Sequence, residues 1–139
     1  MIPTTEDHAF MGVAKSISGL ARCTHRNVGA VVVSSEGRIL GHGYAKGPYG
    51  QPTCIQGGCP RGKLPAGQGK SDYSDCITVH AEVGAIVMAS PQFWHAATLY
   101  VNSEPCFMCY RVAEGSGIYR VVWQGGNEWD MYERHFFKP

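Results

Sequence analysis

At 139 residues, with a formal charge of +1, 44% hydrophobic and 17% charged residues, the chain has the size of one compact domain, 1–139, able to bury a core without covalent staples. Its composition excludes the fibrous, low-complexity and disordered classes, and the near-neutral charge excludes a global positive field of the kind that grips nucleic acid backbones. A small-molecule substrate is the expectation, with Arg22, Arg26, Lys46, Arg61 and Lys63 as the local cations of the first half.

Thr4 or Thr5 caps a first helix, because Phe10, Val13, Ala14, Ile17 and Leu20 follow at the spacing that lines one helical face. Residues 28–33 are apolar and β-branched, residues 34–37 read as a turn, and residues 38–44 resume an alternating pattern, which together predict a hairpin. Residues 46–74 are rich in Gly and Pro, too long for an ordinary connection, and so belong to a functional or metal-braced loop rather than a simple linker. Beyond it a helix is predicted over residues 80–89, a strand over 98–101, a helix over 106–113 and a strand over 120–123. Strands alternating with helices imply parallel pairing through crossovers, hence a mixed sheet covered by helices. Glu6 and Asp7 stand early in the chain where a basic leader would lie, and no run reaches the length of a membrane span. The expectation is a cytoplasmic protein without membrane contact, whose six cysteines are reduced, buried or metal-bound rather than paired.

The chemistry is concentrated at two predicted helix starts. Val79-His80-Ala81-Glu82 opens one and Pro105-Cys106-Phe107-Met108-Cys109 opens the other, with a strand between them. Cys106 and Cys109 lie one helical turn apart, so both sulfurs share a face, and the proline is placed where a helix's first turn needs no amide hydrogen. A helix N-terminus favours thiolates, and zinc accepts sulfur and imidazole nitrogen in a tetrahedral shell. His80, Cys106 and Cys109 are thus candidate ligands that leave a fourth position open for water, the mark of a catalytic rather than a structural zinc. Glu82, two residues past the histidine, is the candidate proton shuttle. A lone Cys-x-x-Cys is often redox-active or structural and a lone His-x-Glu is common, but the ordered pair matches the general signature of zinc nucleobase deaminases.

At these residues the chain resembles the cytidine and deoxycytidylate deaminase superfamily. The resemblance covers residues 28–123, and Cys23, Val28-Gly29-Ala30-Val31, Gly43-Tyr44, Cys54, Gly58-Cys59-Pro60-Arg61 and Cys76 make it most similar to the deoxycytidylate branch. It implies an α/β fold, a three-layer α/β/α sandwich with a mixed central sheet. It also implies deamination of dCMP to dUMP and ammonia: a zinc-activated water attacks C4, Glu82 protonates N3, and the same carboxyl serves the departing ammonia. The Ala81 amide would bind the pyrimidine O2 and the Glu104 carbonyl would accept from the exocyclic amine. Arg26 and Lys46 are candidates for the 5′-phosphate. Relatives in the superfamily are homo-oligomers, and one is expected here.

Two positions depart from the branch pattern. Gly43-Tyr44-Ala45-Lys46 stands where Gly-Tyr-Asn-Gly is common, and Gly84 stands where many relatives carry Asn. The run from Glu104 to Cys109 also resembles guanine and tRNA adenosine deaminases, so a purine is the alternative substrate, while the charge argues against transfer RNA. A zinc-stabilised binding module is the non-enzymatic alternative, against which Glu82 argues, since a structural site needs no adjacent carboxylate. Cys23, Cys54, Cys59 and Cys76, with His25 nearby, are candidates for a second, structural zinc bracing the long loop, or else small buried hydrophobes. Phe107, Tyr110 and Trp123 are candidates either for stacking a base or for the core.

Overall fold

The computed structural model describes residues 1–23, 26–71 and 74–133, apart from the side chain of Phe93. Helix α1 (Thr5–Ser18) leads to the hairpin of β1 (Gly29–Val33) and β2 (Ile39–Tyr44). After the long loop come α2 (Ala81–Met88), β3 (Thr98–Val101), α3 (Phe107–Ser116), β4 (Arg120–Gly125) and β5 (Glu128–Glu133). The five strands form one sheet in the order β2-β1-β3-β4-β5. β3 and β4 are parallel, joined by the crossover through α3, and the other pairs are antiparallel.

Every residue of β1 is buried, because the strand has helices on both faces and its side chains alternate between them. Val31 and Val33 pack with Tyr100 and Val122 beneath Met11 and Ala14 of α1. Ala30 and Val32 point the other way, where they pack with Leu99, Val101 and Val121 beneath Ala81, Ala85 and Ile86 of α2 and Ala113 of α3. This is the three-layer α/β/α arrangement expected, with the valines and leucine of the sheet each contributing about 1.5–3 kcal/mol by burial.

The α1 layer is tied down by charge as well. Thr4 and Asp7 form a reciprocal cap at the start of α1. The buried Asp7 carboxylate also accepts from the Tyr100 hydroxyl at 2.8 Å and from the Arg120 guanidinium at 2.7 Å, joining α1 to β3 and β4. On the opposite face α2 lies directly on β2, because Gly41 and Gly43 present no side chain to it. A Cβ at Gly43 would stand 2.2 Å from the Ala81 carbonyl oxygen, and one at Gly41 would stand 2.3 Å from that of Ala85. These glycines set the height of the helix that carries His80 and Glu82 at its start.

Strand β5 was not among the expected elements. Trp129 and Met131 join the α1-side cluster while Tyr132 packs on the other, so the segment does alternate. Glu128 and Asp130 on one face and Glu133 on the other are acidic, as befits an edge strand, and they weaken the apolar signal. Among the described residues no helix is long and apolar enough to cross a membrane.

Candidate metal centre and active site

His80 and Cys106 are the N-cap residues of α2 and α3, both in extended backbone conformation. The helix therefore begins at Phe107, one residue later than expected, and Pro105 lies outside it, where its lack of an amide hydrogen costs nothing. Because α2 and α3 rest on the same face of the sheet, their starts meet. The His80 Nδ1 lies 3.4 Å from the Cys106 sulfur and 3.4 Å from the Cys109 sulfur. All three ligand atoms fall within 4.8 Å of one another, which among the described residues is the one group of three or more His, Cys, Asp or Glu side chains so placed. An imidazole and two sulfurs converging at two helix N-termini are the donor set zinc prefers, with one coordination position left over.

The electrostatics of the bare cluster agree with that use. The Cys106 thiol is drawn down to about 3, chiefly by the hydrogen bond from Cys109 and then by His80, against the opposing effect of burial. Cys109, which supplies that hydrogen bond and is itself buried, is held above the usual thiol range. His80 is pushed up, mainly by its hydrogen bond with Cys106, while the nearby Arg26 charge pulls the other way. Glu82 is only 4% exposed, and its carboxyl is raised above the ordinary carboxylate range, first of all by burial. A carboxyl that keeps its proton more readily than usual beside a metal position is suited to give and take protons.

A cavity of about 310 Å³ opens over this cluster, lined by His80, Ala81, Glu82 and Cys106 from the helix starts and by Arg26 and Val28 from the approach to β1. The long loop makes most of the rest of its wall. Arg61 holds that loop together: its guanidinium bonds the Asp75 carboxylate at 3.2 Å and the Lys70 carbonyl, and it lies so close over Gly69 that a Cβ there would stand 2.3 Å from its Nη1. Arg61 was among the local cations the sequence offered, whereas Pro65, Ala66 and Thr78 are cavity residues that the sequence reading did not assign to the site. The length of the loop was the available signal, but nothing local says which of its residues face inward.

Of the expected binding residues, Arg26 and Ala81 line the cavity. The Glu104 carbonyl is reached by the Arg26 guanidinium at 3.4 Å. Lys46 is placed elsewhere: it lines a separate cavity with Arg22, Tyr44 and Tyr49, its ammonium 5.6 Å above the Tyr44 ring. Its backbone pairs with that of Val79. Cys23, Cys54, Cys59 and Cys76 all line the active-site cavity, but they do not converge as the first three ligands do. Cys59 is nonetheless brought down to about 7: burial opposes ionisation, and hydrogen bonds from the backbones of Ile77 and Gly62 and from Cys76 outweigh it. His25 lies outside the described residues. None of Phe107, Tyr110 and Trp123 lines the cavity; Phe107 is 68% exposed beside Arg111, and Tyr110 and Trp123 pack edge to face at 5.7 Å.

Residues 4–124, which include the whole cluster, match the family model of the cytidine and deoxycytidylate deaminase zinc-binding region. The chain belongs to this family. It is similar to the deoxycytidylate deaminase of Mycobacterium phage D29, 40% identical over 121 residues that make up 84% of this chain and 92% of that protein. It is also similar to the deoxycytidylate deaminase of Schizosaccharomyces pombe, 32% identical over 91% of this chain, although the match spans only 39% of the yeast protein. Among solved structures, the dCMP deaminase of cyanophage S-TIM5 in complex with dCMP and dUMP shares the fold, with a TM-score of 0.63, 24% identity, and coverage of 88% of this chain and 83% of that one. In a family defined by a zinc-binding region, His80, Cys106 and Cys109 are the residues of this chain whose chemistry and convergence fit the metal.

Proposed function

We propose that the chain is a single-domain hydrolytic deaminase of a cytosine nucleotide, converting dCMP and water to dUMP and ammonia. The observation that carries this reading is the buried Glu82 carboxyl beside the His80, Cys106 and Cys109 cluster, in a cavity that also holds Arg26. His80, Cys106 and Cys109 would hold the zinc, which would supply an acidified water for the reaction. Glu82 takes a proton from the attacking water, delivers it to N3 of the pyrimidine, and then serves the departing ammonia. Ala81 occupies the first position of α2, where the helix makes no use of the amide hydrogen, and that amide is assigned to the pyrimidine O2. The Glu104 carbonyl is assigned to the exocyclic amine, and Arg26 to the 5′-phosphate, for which a guanidinium is the matched partner.

A second, structural zinc is proposed at the cysteine wall formed by Cys23, Cys54, Cys59 and Cys76. Its support is that all four line one cavity and that backbone hydrogen bonds reach the Cys59 sulfur; no three of them lie within 4.8 Å of one another, so the ion would have to draw them together. Metal analysis of the purified protein is expected to give two zinc ions per chain, falling to one in Cys59→Ser; one ion in the unaltered protein refutes the second site. Six cysteines with no disulfide among them suit a reducing compartment, which supports a cytoplasmic setting. A homo-oligomer is proposed because α2 and α3 leave Val87, Met88, Phe107 and Met108 exposed, and light scattering of the purified chain tests it.

The activity is tested by ultraviolet assays with dCMP, CMP, cytidine and guanine. Turnover of dCMP in preference to the others is expected, and turnover of guanine but not dCMP overturns the substrate assignment. Glu82→Gln should retain the fold and the catalytic zinc while losing at least about 100-fold in kcat. Unchanged turnover in that variant removes the proton-shuttle role.

A further inference from the structure

Arg26 does something in the free protein that a simple phosphate ligand would not do. Its guanidinium reaches across from the approach to β1 to the turn before Cys106, where it hydrogen-bonds the Ser103 hydroxyl and stands 3.4 Å from the Glu104 carbonyl oxygen. That carbonyl is the group assigned above to the exocyclic amine of the substrate. A carbonyl oxygen already facing a cation has part of its acceptor capacity taken, and the cation repels the partial positive charge of an incoming amine hydrogen. The same guanidinium lines the cavity over His80, Glu82 and Cys106, so the bond closes part of the site itself.

Among the described residues, the two hydrogen-bond partners of Arg26 are neutral. A phosphate dianion offers the guanidinium two charge-assisted hydrogen bonds in the geometry of its fork, a stronger arrangement than a hydroxyl and one long bond to a carbonyl. We propose that Arg26 is a substrate-operated latch: it covers the Glu104 carbonyl in the free protein and releases it when a 5′-phosphate draws the guanidinium away. The latch rests on the nucleotide reading given above and adds to it a reason for discrimination. An unphosphorylated nucleoside not only binds more weakly but also meets a site whose amine acceptor is still occupied, so phosphate raises kcat as well as lowering KM.

The test uses steady-state kinetics of the zinc-loaded protein with dCMP and deoxycytidine, for the unaltered chain, Arg26→Ala and Ser103→Ala. In Arg26→Ala the kcat for deoxycytidine is expected to rise by roughly 10-fold or more, the worth of one charge-assisted hydrogen bond, while kcat/KM for dCMP falls. Ser103→Ala, which loosens the latch without removing the cation, should raise deoxycytidine turnover and leave the KM for dCMP unchanged. Added inorganic phosphite should activate deoxycytidine deamination saturably in the unaltered protein and not in Arg26→Ala. If dCMP is turned over but Arg26→Ala fails to raise the kcat for deoxycytidine, or phosphite has no effect, the latch is wrong and the nucleotide reading stands. If dCMP is not turned over at all, the nucleotide reading falls and the latch with it.

Discussion

Gly43→Ala is the substitution in which the fold and the chemistry are most directly linked. The added Cβ would stand 2.2 Å from the Ala81 carbonyl oxygen and 2.6 Å from the Ala85 amide nitrogen, both backbone atoms of α2 that no rotamer change can move. Relief to an ordinary carbon–oxygen contact of roughly 3.3 Å lifts the first turn of α2 by about 1 Å. That turn begins at His80 and carries Glu82, so the displacement is passed straight to a metal ligand and to the proton shuttle. Overpacking of this kind costs about 1–3 kcal/mol in stability, and a 1 Å misplacement of reacting groups costs about 100-fold in rate. The expected result is a loss of about 100-fold in kcat/KM for dCMP, together with weaker zinc retention against a competing chelator. Gly84→Ala is the matched control on the opposite side of the same contact, because its Cβ would meet the Gly43 Cα at 3.6 Å, an ordinary distance. An alanine inside a helix is favoured over glycine by about 0.5–1 kcal/mol, so this variant should melt a few degrees higher with its activity intact. Undiminished activity and zinc affinity in Gly43→Ala, or a lower melting temperature in Gly84→Ala, would show that the close seat of α2 on β2 does not position the site.

On the other face of the sheet, Asp7→Ala should destabilise the protein by about 3–5 kcal/mol in chemical denaturation while leaving zinc content unchanged, because it strands the Arg120 charge and removes the cap of α1. The Asp7 carboxyl lies below its ordinary range: burial opposes this, but the Thr4 amide, Tyr100 and Arg120 together outweigh it. Its contribution is therefore complete above the unfolded value of about 4 and is lost as pH falls through the lower folded value. The stability difference between the unaltered chain and Asp7→Asn should accordingly hold from pH 7 to about pH 5 and shrink below about pH 4; a difference independent of pH in that range contradicts the assignment. Removal of zinc by a strong chelator should abolish turnover, with recovery on stoichiometric zinc, and Cys106→Ser should prevent that recovery; activity that survives chelation refutes a zinc-dependent reaction.

The convergent His80, Cys106 and Cys109 cluster was readable because its parts are local. A His-x-Glu and a Cys-x-x-Cys each fall within a single helical turn, and a helix start orients its first side chains whatever the rest of the chain does. The hairpin, the core strands β3 and β4 and the helices were equally legible, since burial on one or both faces writes a period of two or 3.6 into the sequence. Strand β5 was not, because this edge strand leaves every residue at least partly exposed and carries acids on both of its faces, which blurs the period of two.

The amino-acid order by itself determined which side chains could hold a metal and move a proton, because that depends on chemical identity and on spacings shorter than a turn. Only the tertiary structure decided what surrounds them. It set Lys46 in a different cavity, made Arg61 and residues 65–67 part of the wall, and carried Arg26 across 78 residues of chain to the Glu104 carbonyl. Those placements follow from how a glycine-rich loop folds back over the sheet and from how closely α2 seats on Gly41 and Gly43. Such contacts join residues far apart in the chain, and no local periodicity encodes them.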